Sequence, residues 1–236
     1  MPQPPICIIP ARGSSTRFPG KNLAPFAGVP LLWRAIQTAG LTHLFQDAAG
    51  NRTWVNTDSR EIADSAVRTG ALPFIRPPEL ALDHIQVAAV CAQQVEEMKP
   101  HPRTPVCIML TTAPLTRWED ICASFSRFND EGARVMHAVA RFEHPIERAL
   151  RLESGKLVWA GGDPSVVDRG TQSFPPAYRI TGSFTWVLAG HLVKTRSYVD
   201  DRMLGYEVSR ERAVDIDTPE DLRVAEVLWR ELGKGA

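Results

Sequence analysis

The sequence ICIIPARGSSTRFPGKNL (residues 6–23) joins a short apolar run to a loop rich in small residues and cations. Residues 6–10 are continuously apolar, which predicts a strand buried on both faces. Small residues let backbone N–H groups converge on phosphate oxygens, and Arg12, Arg17 and Lys21 supply positive charge. The segment therefore predicts a phosphate-binding loop at the end of a first strand. An ordinary glycine- and serine-rich turn is the alternative.

The loop matches neither of two common phosphate-binding fingerprints. Counting back five residues from Gly20 gives Ser15, where a Walker A loop has glycine. Asn22 stands where a serine or threonine would contact magnesium, and the pattern GxGxxG is not present.

Strand and helix signals alternate after this loop. The predicted elements are helix 30–39, strand 53–57, helix 60–69, helix 85–99, strand 106–110, helix 118–130 and strand 135–140. Strands separated by helices of this length predict a doubly wound, mostly parallel sheet in a Rossmann-like α/β fold. Ligands bind such sheets beyond the carboxyl ends of the strands.

The alternation stops between about residues 141 and 190. The sequence RLESGKLVW (151–159) predicts a hairpin around Ser154 and Gly155. We therefore predict a single domain over residues 1–236 that carries a β-rich insertion at about 141–190. Regular structure is predicted to resume with a strand at 213–217.

Composition gives no sign of a polyanionic or lipid partner. Lysine plus arginine and aspartate plus glutamate number 27 each, so we expect no nucleic-acid and no membrane partner. The N-terminal residues lack the basic segment and apolar run of a secretory leader. The four cysteines stand singly, which favours buried free thiols in a reducing cytoplasm. We expect a cytoplasmic protein.

Two carboxylates, Asp215 and Asp217, lie two positions apart on the strand predicted at 213–217, so both project from one face. Paired carboxylates are costly unless a positive charge lies between them, and Mg²⁺ prefers oxygen ligands shared with substrate phosphates. An acidic turn that caps the following helix is the alternative, because Thr218 and Pro219 form a strong helix start.

Segments along the whole chain match one family in order. PARG (10–13), Ser15, Pro19 and KN (21–22) resemble the PARGGSKxxPxKN signature of the acylneuraminate cytidylyltransferase family. Further matching segments are NTD (56–58), GA (70–71), PFIRP (73–77), TAPL (112–115) and DIDTPED (215–221). The resemblance implies transfer of CMP from CTP to the anomeric hydroxyl of an acidic nonulosonic sugar, with release of pyrophosphate.

The segments TTAPL (111–115) and FEHPIERAL (142–150) are similar to the pseudaminate branch of this family. Leu110 stands at the position of a glutamine in sialate enzymes. Within the loop, Ser14 replaces a glycine and Thr16 a lysine of the family, and charged positions over 169–180 differ. The alternatives are a sialate, legionaminate or 3-deoxy-octulosonate enzyme, or a catalytically silent nucleotide-binding homologue.

The resemblance also implies a set of site residues. Catalytic roles fall to Arg12, Lys21 and Asp217, and Mg²⁺ binding falls to Asp215 and Asp217. The expected nucleotide contacts are Ala11, Arg12, Gly13, Ser14, Ser15, Arg17, Lys21, Asn22, Asp58 and Arg76. The expected sugar contacts are Thr112, Gln172, Tyr178 and Phe184. For Arg76 a surface ion pair is the alternative. Because the family's insertion commonly crosses to a second subunit, we expect a homodimer.

Overall fold

The computed structural model describes residues 4–161 and 164–233. Residues 1–3, which belong to the N-terminal segment for which no secretory leader is predicted, lie outside the described residues. The strands, in chain order, are β1 (Ile6–Pro10), β2 (Pro25–Phe26), β3 (Val29–Pro30), β4 (Gln46–Asp47), β5 (Gly50–Asn51), β6 (Thr53–Thr57), β7 (Leu72–Ile75), β8 (Pro105–Ile108), β9 (Val135–Arg141), β10 (Leu150–Glu153), β11 (Lys156–Trp159), β12 (Tyr178–Leu188) and β13 (Leu204–Glu207). The α-helices are α1 (Leu31–Leu41), α2 (Arg60–Arg68), α3 (Val87–Met98), α4 (Trp118–Asp130), α5 (Ala189–Thr195) and α6 (Pro219–Leu232).

Within the described residues, seven strands form the central sheet in the order β13-β9-β12-β8-β1-β6-β7. β1 pairs in parallel with β6 and β8, β6 with β7, and β13 with β9. Strand β12 runs the other way, antiparallel to β8 and β9. The predicted doubly wound, mostly parallel α/β fold is confirmed.

The apolar run of β1 is buried on both faces, as its sequence predicts. Cys7 and Ile9 pack into one core cluster with residues of α1, α2 and α4. Ile6 and Ile8 pack into a second cluster with residues of α3 and α5. Each fully buried isoleucine stabilises the fold by about 1.5–3 kcal/mol relative to exposure. Helices therefore cover both faces of the sheet, and the strand ends remain accessible along its edge.

The insertion predicted at about 141–190 is longer than the segment that lies outside the central sheet. Its hairpin is confirmed, because β10 and β11 pair antiparallel around Ser154 and Gly155, whose φ angles are 51° and 79°. Tyr178–Leu188, however, forms β12 of the central sheet, where Trp186 and Val187 point into opposite core clusters. The irregular segment therefore narrows to about residues 142–177.

The strand predicted at 213–217 is wrong. Ile216 N donates to Thr112 O at 2.8 Å, but no strand ladder is formed along these described residues. Ile216 is buried in an apolar cluster below α6, and Asp215 and Asp217 flank it. The predicted helix start is confirmed, because Thr218 is the N-cap of α6 and forms a capping box with Asp221.

The four cysteines are free thiols, and Cys7, Cys91 and Cys107 are buried while Cys122 is partly exposed. Burial raises the pKa of the Cys91 thiol to about 12, so this side chain stays neutral. Across residues 4–161 and 164–233, every helix is too short or too polar to span a lipid bilayer.

Candidate active site

A cleft of about 360 Å³ opens where β1, β7 and β8 end. This edge is where doubly wound sheets bind ligands, because several loops converge there. The predicted site residues that line the cleft are Arg12, Ser15, Arg17, Lys21, Asn22, Arg76, Thr112, Asp215 and Asp217. Segments that are distant in sequence thus supply one continuous polar surface.

Four predicted nucleotide contacts lie outside the cleft lining: Ala11, Gly13, Ser14 and Asp58. Ala11 is buried, and its N–H donates to Asn56 O at 2.9 Å, which fastens the loop to the end of β6. The Gly13 N–H donates to Asp58 Oδ1 at 2.9 Å. The N–H groups of these two residues thus bind protein partners and support the loop, and their contact with the nucleotide stays a prediction.

Gly13 is required by a close approach between the loop and α2. A Cβ at this position would lie 2.9 Å from Ser59 Cβ, a separation at which one of the two must shift. Ser59 is the N-cap of α2 and accepts a hydrogen bond from Ile62 N. The loop therefore packs directly on the N-terminus of α2, and only glycine fits without displacement.

Asp217 is held by two of the predicted cations. Lys21 Nζ lies 3.1 Å from Asp217 Oδ1 and donates to Ile216 O at 2.8 Å. Arg17 Nη1 lies 2.9 Å from Asp217 Oδ2. The Lys21 side chain is 13% exposed and the Arg17 side chain 69%, so Lys21 is fixed by packing whereas Arg17 has room to move.

Asn22 ties the loop to the end of β8. Its Nδ2 donates to Arg12 O at 2.7 Å, and its Oδ1 accepts from Thr111 Oγ1 at 2.5 Å. Both Asn22 and Thr111 are buried. The amide of Asn22 thus fixes the backbone that carries Arg12.

Arg76 is buried at the cleft wall rather than paired on the surface, so the surface alternative is wrong. Its Nη2 donates to Asn56 O at 2.5 Å, whereas its buried Nε has no hydrogen-bond partner among the described residues. Burial lowers the pKa of the guanidinium, and the nearby Asp58 carboxylate opposes that shift. A buried arginine with unused donor capacity is suited to an anionic ligand.

Asp83 is a cleft residue that the sequence analysis missed. It lies in the segment between β7 and α3, several residues of which line the cleft, and its carboxylate forms an ion pair with Arg12. The segment has no regular pattern that would place an acid opposite a loop 71 positions away. Asp83 thus binds one, and Asp217 two, of the cations that the sequence assigns to phosphate.

The carboxylates Asp215 and Asp217 both line the cleft, as a shared Mg²⁺ requires. Gly182 lies beside this carboxylate, because a Cβ there would be 3.6 Å from Asp215 Oδ1 and 3.3 Å from Leu110 Cδ1. Among the described residues no group of three or more His, Cys, Asp or Glu side chains is arranged to hold a metal. An ion held by Asp215 and Asp217 would take its remaining oxygen ligands from phosphate and water, and Mg²⁺ binding here stays a prediction.

A second cavity of about 370 Å³, here called the side cavity, shares Leu110 and Val87 with the cleft. Its wall is mainly apolar and includes Ile180 and the buried Phe184. Of the predicted sugar contacts, Thr112 lines the cleft and Phe184 lines the side cavity.

Gln172 and Tyr178 line neither space. Gln172 is exposed in the short 3₁₀ turn Thr171–Ser173, and Tyr178 is 44% exposed at the start of β12. The structure of one chain therefore does not bring these two side chains to the other predicted residues.

The cleft combines four cations with two carboxylates suited to Mg²⁺ at the ligand-binding edge of a doubly wound sheet. Such a site places positive charge beside the phosphates of a nucleoside triphosphate and stabilises charge that develops on phosphorus oxygens. Fold and site together define the protein as a nucleotidyltransferase.

The family model described as cytidylyltransferase matches residues 6–232. The chain belongs to the cytidylyltransferase family. It is 29% identical over 234 residues to a pseudaminic acid cytidylyltransferase of Campylobacter jejuni, covering 95% of this chain and 96% of the relative. It is 27% identical over 229 residues to a CMP-N,N′-diacetyllegionaminic acid synthase of Legionella pneumophila, covering 94% and 95% of the two chains.

A solved structure of CMP:2-keto-3-deoxy-manno-octonic acid synthetase complexed with CTP shares the fold. Its TM-score is 0.69 at 15% identity, with 98% of this chain and all of the other chain covered. A 4-diphosphocytidyl-2C-methyl-D-erythritol synthase has a TM-score of 0.64 at 13% identity, with 97% and 99% covered. At these identities the likeness shows a shared fold.

Proposed function

We propose that the protein transfers CMP from CTP to the anomeric hydroxyl of an acidic nonulosonic sugar of the pseudaminic acid type and releases pyrophosphate. Relatives named for pseudaminic acid and for N,N′-diacetyllegionaminic acid, matched over nearly the whole of both chains, support this substrate class. Sialate, legionaminate and 3-deoxy-octulosonate remain the alternatives within the same reaction.

The observation that carries the proposal is the position of Asp217 between Lys21 and Arg17 in the same cleft as Asp215. A triphosphate entering this cleft offers oxygens that compete for Arg17, which is mostly exposed and able to turn toward them. That exchange releases one oxygen of Asp217. Lys21 remains anchored through Ile216 O and keeps its charge beside the phosphates.

Mg²⁺ held by Asp215 and Asp217 would supply charge neutralisation at the phosphates and orient them for displacement. The sugar hydroxyl oxygen forms a bond to the α-phosphorus of CTP while the bond from that phosphorus to the β-phosphate oxygen breaks. The hydroxyl proton leaves to solvent, and pyrophosphate carries away the bonding electron pair. Lys21 and Arg12 stabilise the charge that this displacement shifts onto the leaving group.

Pyrophosphate release with a panel of nucleoside triphosphates and acidic sugars tests the proposal. We expect turnover with CTP and an acidic nonulosonic sugar in the presence of Mg²⁺, and none when either substrate or the metal is left out. CTP binding without turnover on any sugar would instead identify a catalytically silent homologue. Thr16, where the family has lysine, makes that outcome a specific second candidate.

Asp217→Asn keeps the size of the side chain and removes its charge. We expect a loss of at least about a hundredfold in kcat, with the melting temperature changed by only a few degrees. Asp64→Asn, an exposed position on α2, is the matched control and should retain activity. Pyrophosphate release by Asp217→Asn at the wild-type rate would refute the metal assignment.

We further propose that the protein is a homodimer formed through the hairpin of β10 and β11. Leu152 is 73% exposed and Leu157 is 67% exposed, and the two are directly paired across the hairpin. An exposed apolar pair of this kind favours burial against another surface. Light scattering at micromolar concentration should give a dimer for the wild type and a monomer for Leu152→Glu, whereas a monomeric wild type would contradict the proposal.

A further inference from the structure

The back wall of the side cavity contains a buried histidine whose two ring nitrogens both have partners. His137 Nε2 lies 3.1 Å from the backbone oxygen of Tyr198, and His137 Nδ1 lies 3.0 Å from Thr185 Oγ1. His137 and Thr185 are cross-strand neighbours on β9 and β12, and both line the side cavity. The sheet register therefore fixes this contact.

The carbonyl partner determines the tautomer of His137. A backbone oxygen can only accept, so Nε2 carries the ring proton. Burial lowers the pKa of His137, which keeps the ring neutral and leaves Nδ1 without a proton. Nδ1 is then an acceptor, and Thr185 Oγ1 must donate its hydroxyl hydrogen to it.

This arrangement fixes what Thr185 can offer to a ligand. With its hydrogen committed to His137, the hydroxyl presents only lone pairs to the side cavity. A ligand group at this point therefore has to donate a hydrogen bond, and a group that only accepts is disfavoured.

The rest of the wall indicates what else the donating group carries. Ile180, Val199 and Met203 make much of the surface apolar, and Leu110 lines both the side cavity and the cleft. An acylamino group satisfies both conditions, because its N–H donates while its acyl carbons contact apolar side chains.

We propose that Thr185 is a specificity-determining residue that selects acidic sugars carrying an acylamino substituent, whose N–H donates to Thr185 Oγ1. His137 acts as a positioning residue that holds the hydroxyl in its accepting orientation. The inference rests on the proposed function and names the part of the sugar that enters the side cavity.

Matched sugars test the inference on the intact enzyme. The probes are pseudaminic acid and N,N′-diacetyllegionaminic acid, each beside analogues in which one acetamido nitrogen is replaced by oxygen. At one acetamido position of whichever sugar turns over, replacing the nitrogen by oxygen should lower the kcat/KM of the wild type about tenfold, because a neutral hydrogen bond is lost. The effect should appear in the KM for the sugar, with the KM for CTP unchanged.

Two variants assign the effect to the hydroxyl. In Thr185→Val, which keeps the branched shape, the ratio of kcat/KM for the acetamido sugar to kcat/KM for its oxygen analogue should fall close to one. In Thr185→Ser, which keeps the hydroxyl, the ratio should stay near the wild-type value. A ratio of one in the wild type at every position, or a ratio that persists in Thr185→Val, would overturn the inference while leaving the proposed function intact.

If Thr185→Val fails to fold, a wild-type ratio of one at every position still overturns the inference, because that measurement needs no variant. Absence of turnover by the wild type with every acidic sugar would instead refute the proposed function, and the inference with it.

Discussion

The ion pair between Asp83 and Arg12 gives a prediction that runs against the usual effect of mutating a binding cleft. Asp83→Asn preserves size and removes the carboxylate that holds Arg12. Because Arg12 must leave Asp83 before it can bind phosphate, the wild type loses the energy of the ion pair when CTP binds. We therefore expect Asp83→Asn to bind CTP more tightly than the wild type.

The exposure of the pair sets the size of the effect. The side chains of Arg12 and Asp83 are 32% and 62% exposed, so the pair belongs with partly solvated ion pairs. Such pairs contribute about 0.4–1 kcal/mol, which corresponds to about a two- to fivefold decrease in Kd for CTP.

Calorimetric titration of CTP with Mg²⁺ measures the change directly. Asp130→Asn, at the end of α4, makes the same charge change away from the cleft and should leave Kd unaltered. An Asp83→Asn protein that binds CTP as the wild type does, or more weakly, would refute the idea that Asp83 competes with phosphate.

Three further substitutions test the loop and the last helix. Lys21→Ala removes a packed cation and should weaken CTP binding by about tenfold or more by calorimetry; an unchanged Kd would contradict a role in phosphate binding. Gly13→Ala places a Cβ 2.9 Å from Ser59 Cβ and should lower the free energy of unfolding by about 1–3 kcal/mol, measured by urea unfolding. A free energy of unfolding equal to that of the wild type would show that the loop shifts to accommodate the methyl group. Asp221→Ala removes the capping box of α6 and should cost about 1 kcal/mol at neutral pH. The Thr218 hydroxyl lowers the pKa of Asp221, so this cost is present above the ordinary aspartate range and disappears as pH falls through the lowered pKa; a cost that persists in acid would exclude the ionised carboxylate as its source.

The elements that sequence predicts best here are those with a strong local pattern. Thr53–Thr57 and Trp118–Asp130 have the predicted bounds, and β1 follows its apolar run. The strand β12 was not predicted, because its partners Ile108 and His137 lie far back in the chain and its own sequence contains Thr181, Gly182 and Ser183. Long-range pairing, rather than local preference, forms this strand.

The site residues likewise fall into two groups: those that a local motif predicts, and those that depend on contacts between distant segments. The loop cations and the two aspartates were predicted from local motifs, and all reach the cleft. The strand expected at 213–217 is not formed, yet burial of Ile216 in the cluster below α6 still leaves Asp215 and Asp217 lining the cleft. Asp83 and the contact between His137 and Thr185 depend on how distant segments meet, for which one sequence without its relatives carries no signal.

The balance of charge in the cleft has a consequence for the speed of association. Arg12, Arg17, Lys21 and Arg76 are accompanied there by Asp83, Asp215 and Asp217, so the lining carries almost no net charge despite its many ionised groups. A surface of this kind produces little long-range attraction for a polyanion. The rate constant for CTP association should therefore depend weakly on ionic strength, and encounter would be governed by ordinary diffusion, with the cations becoming available only after contact.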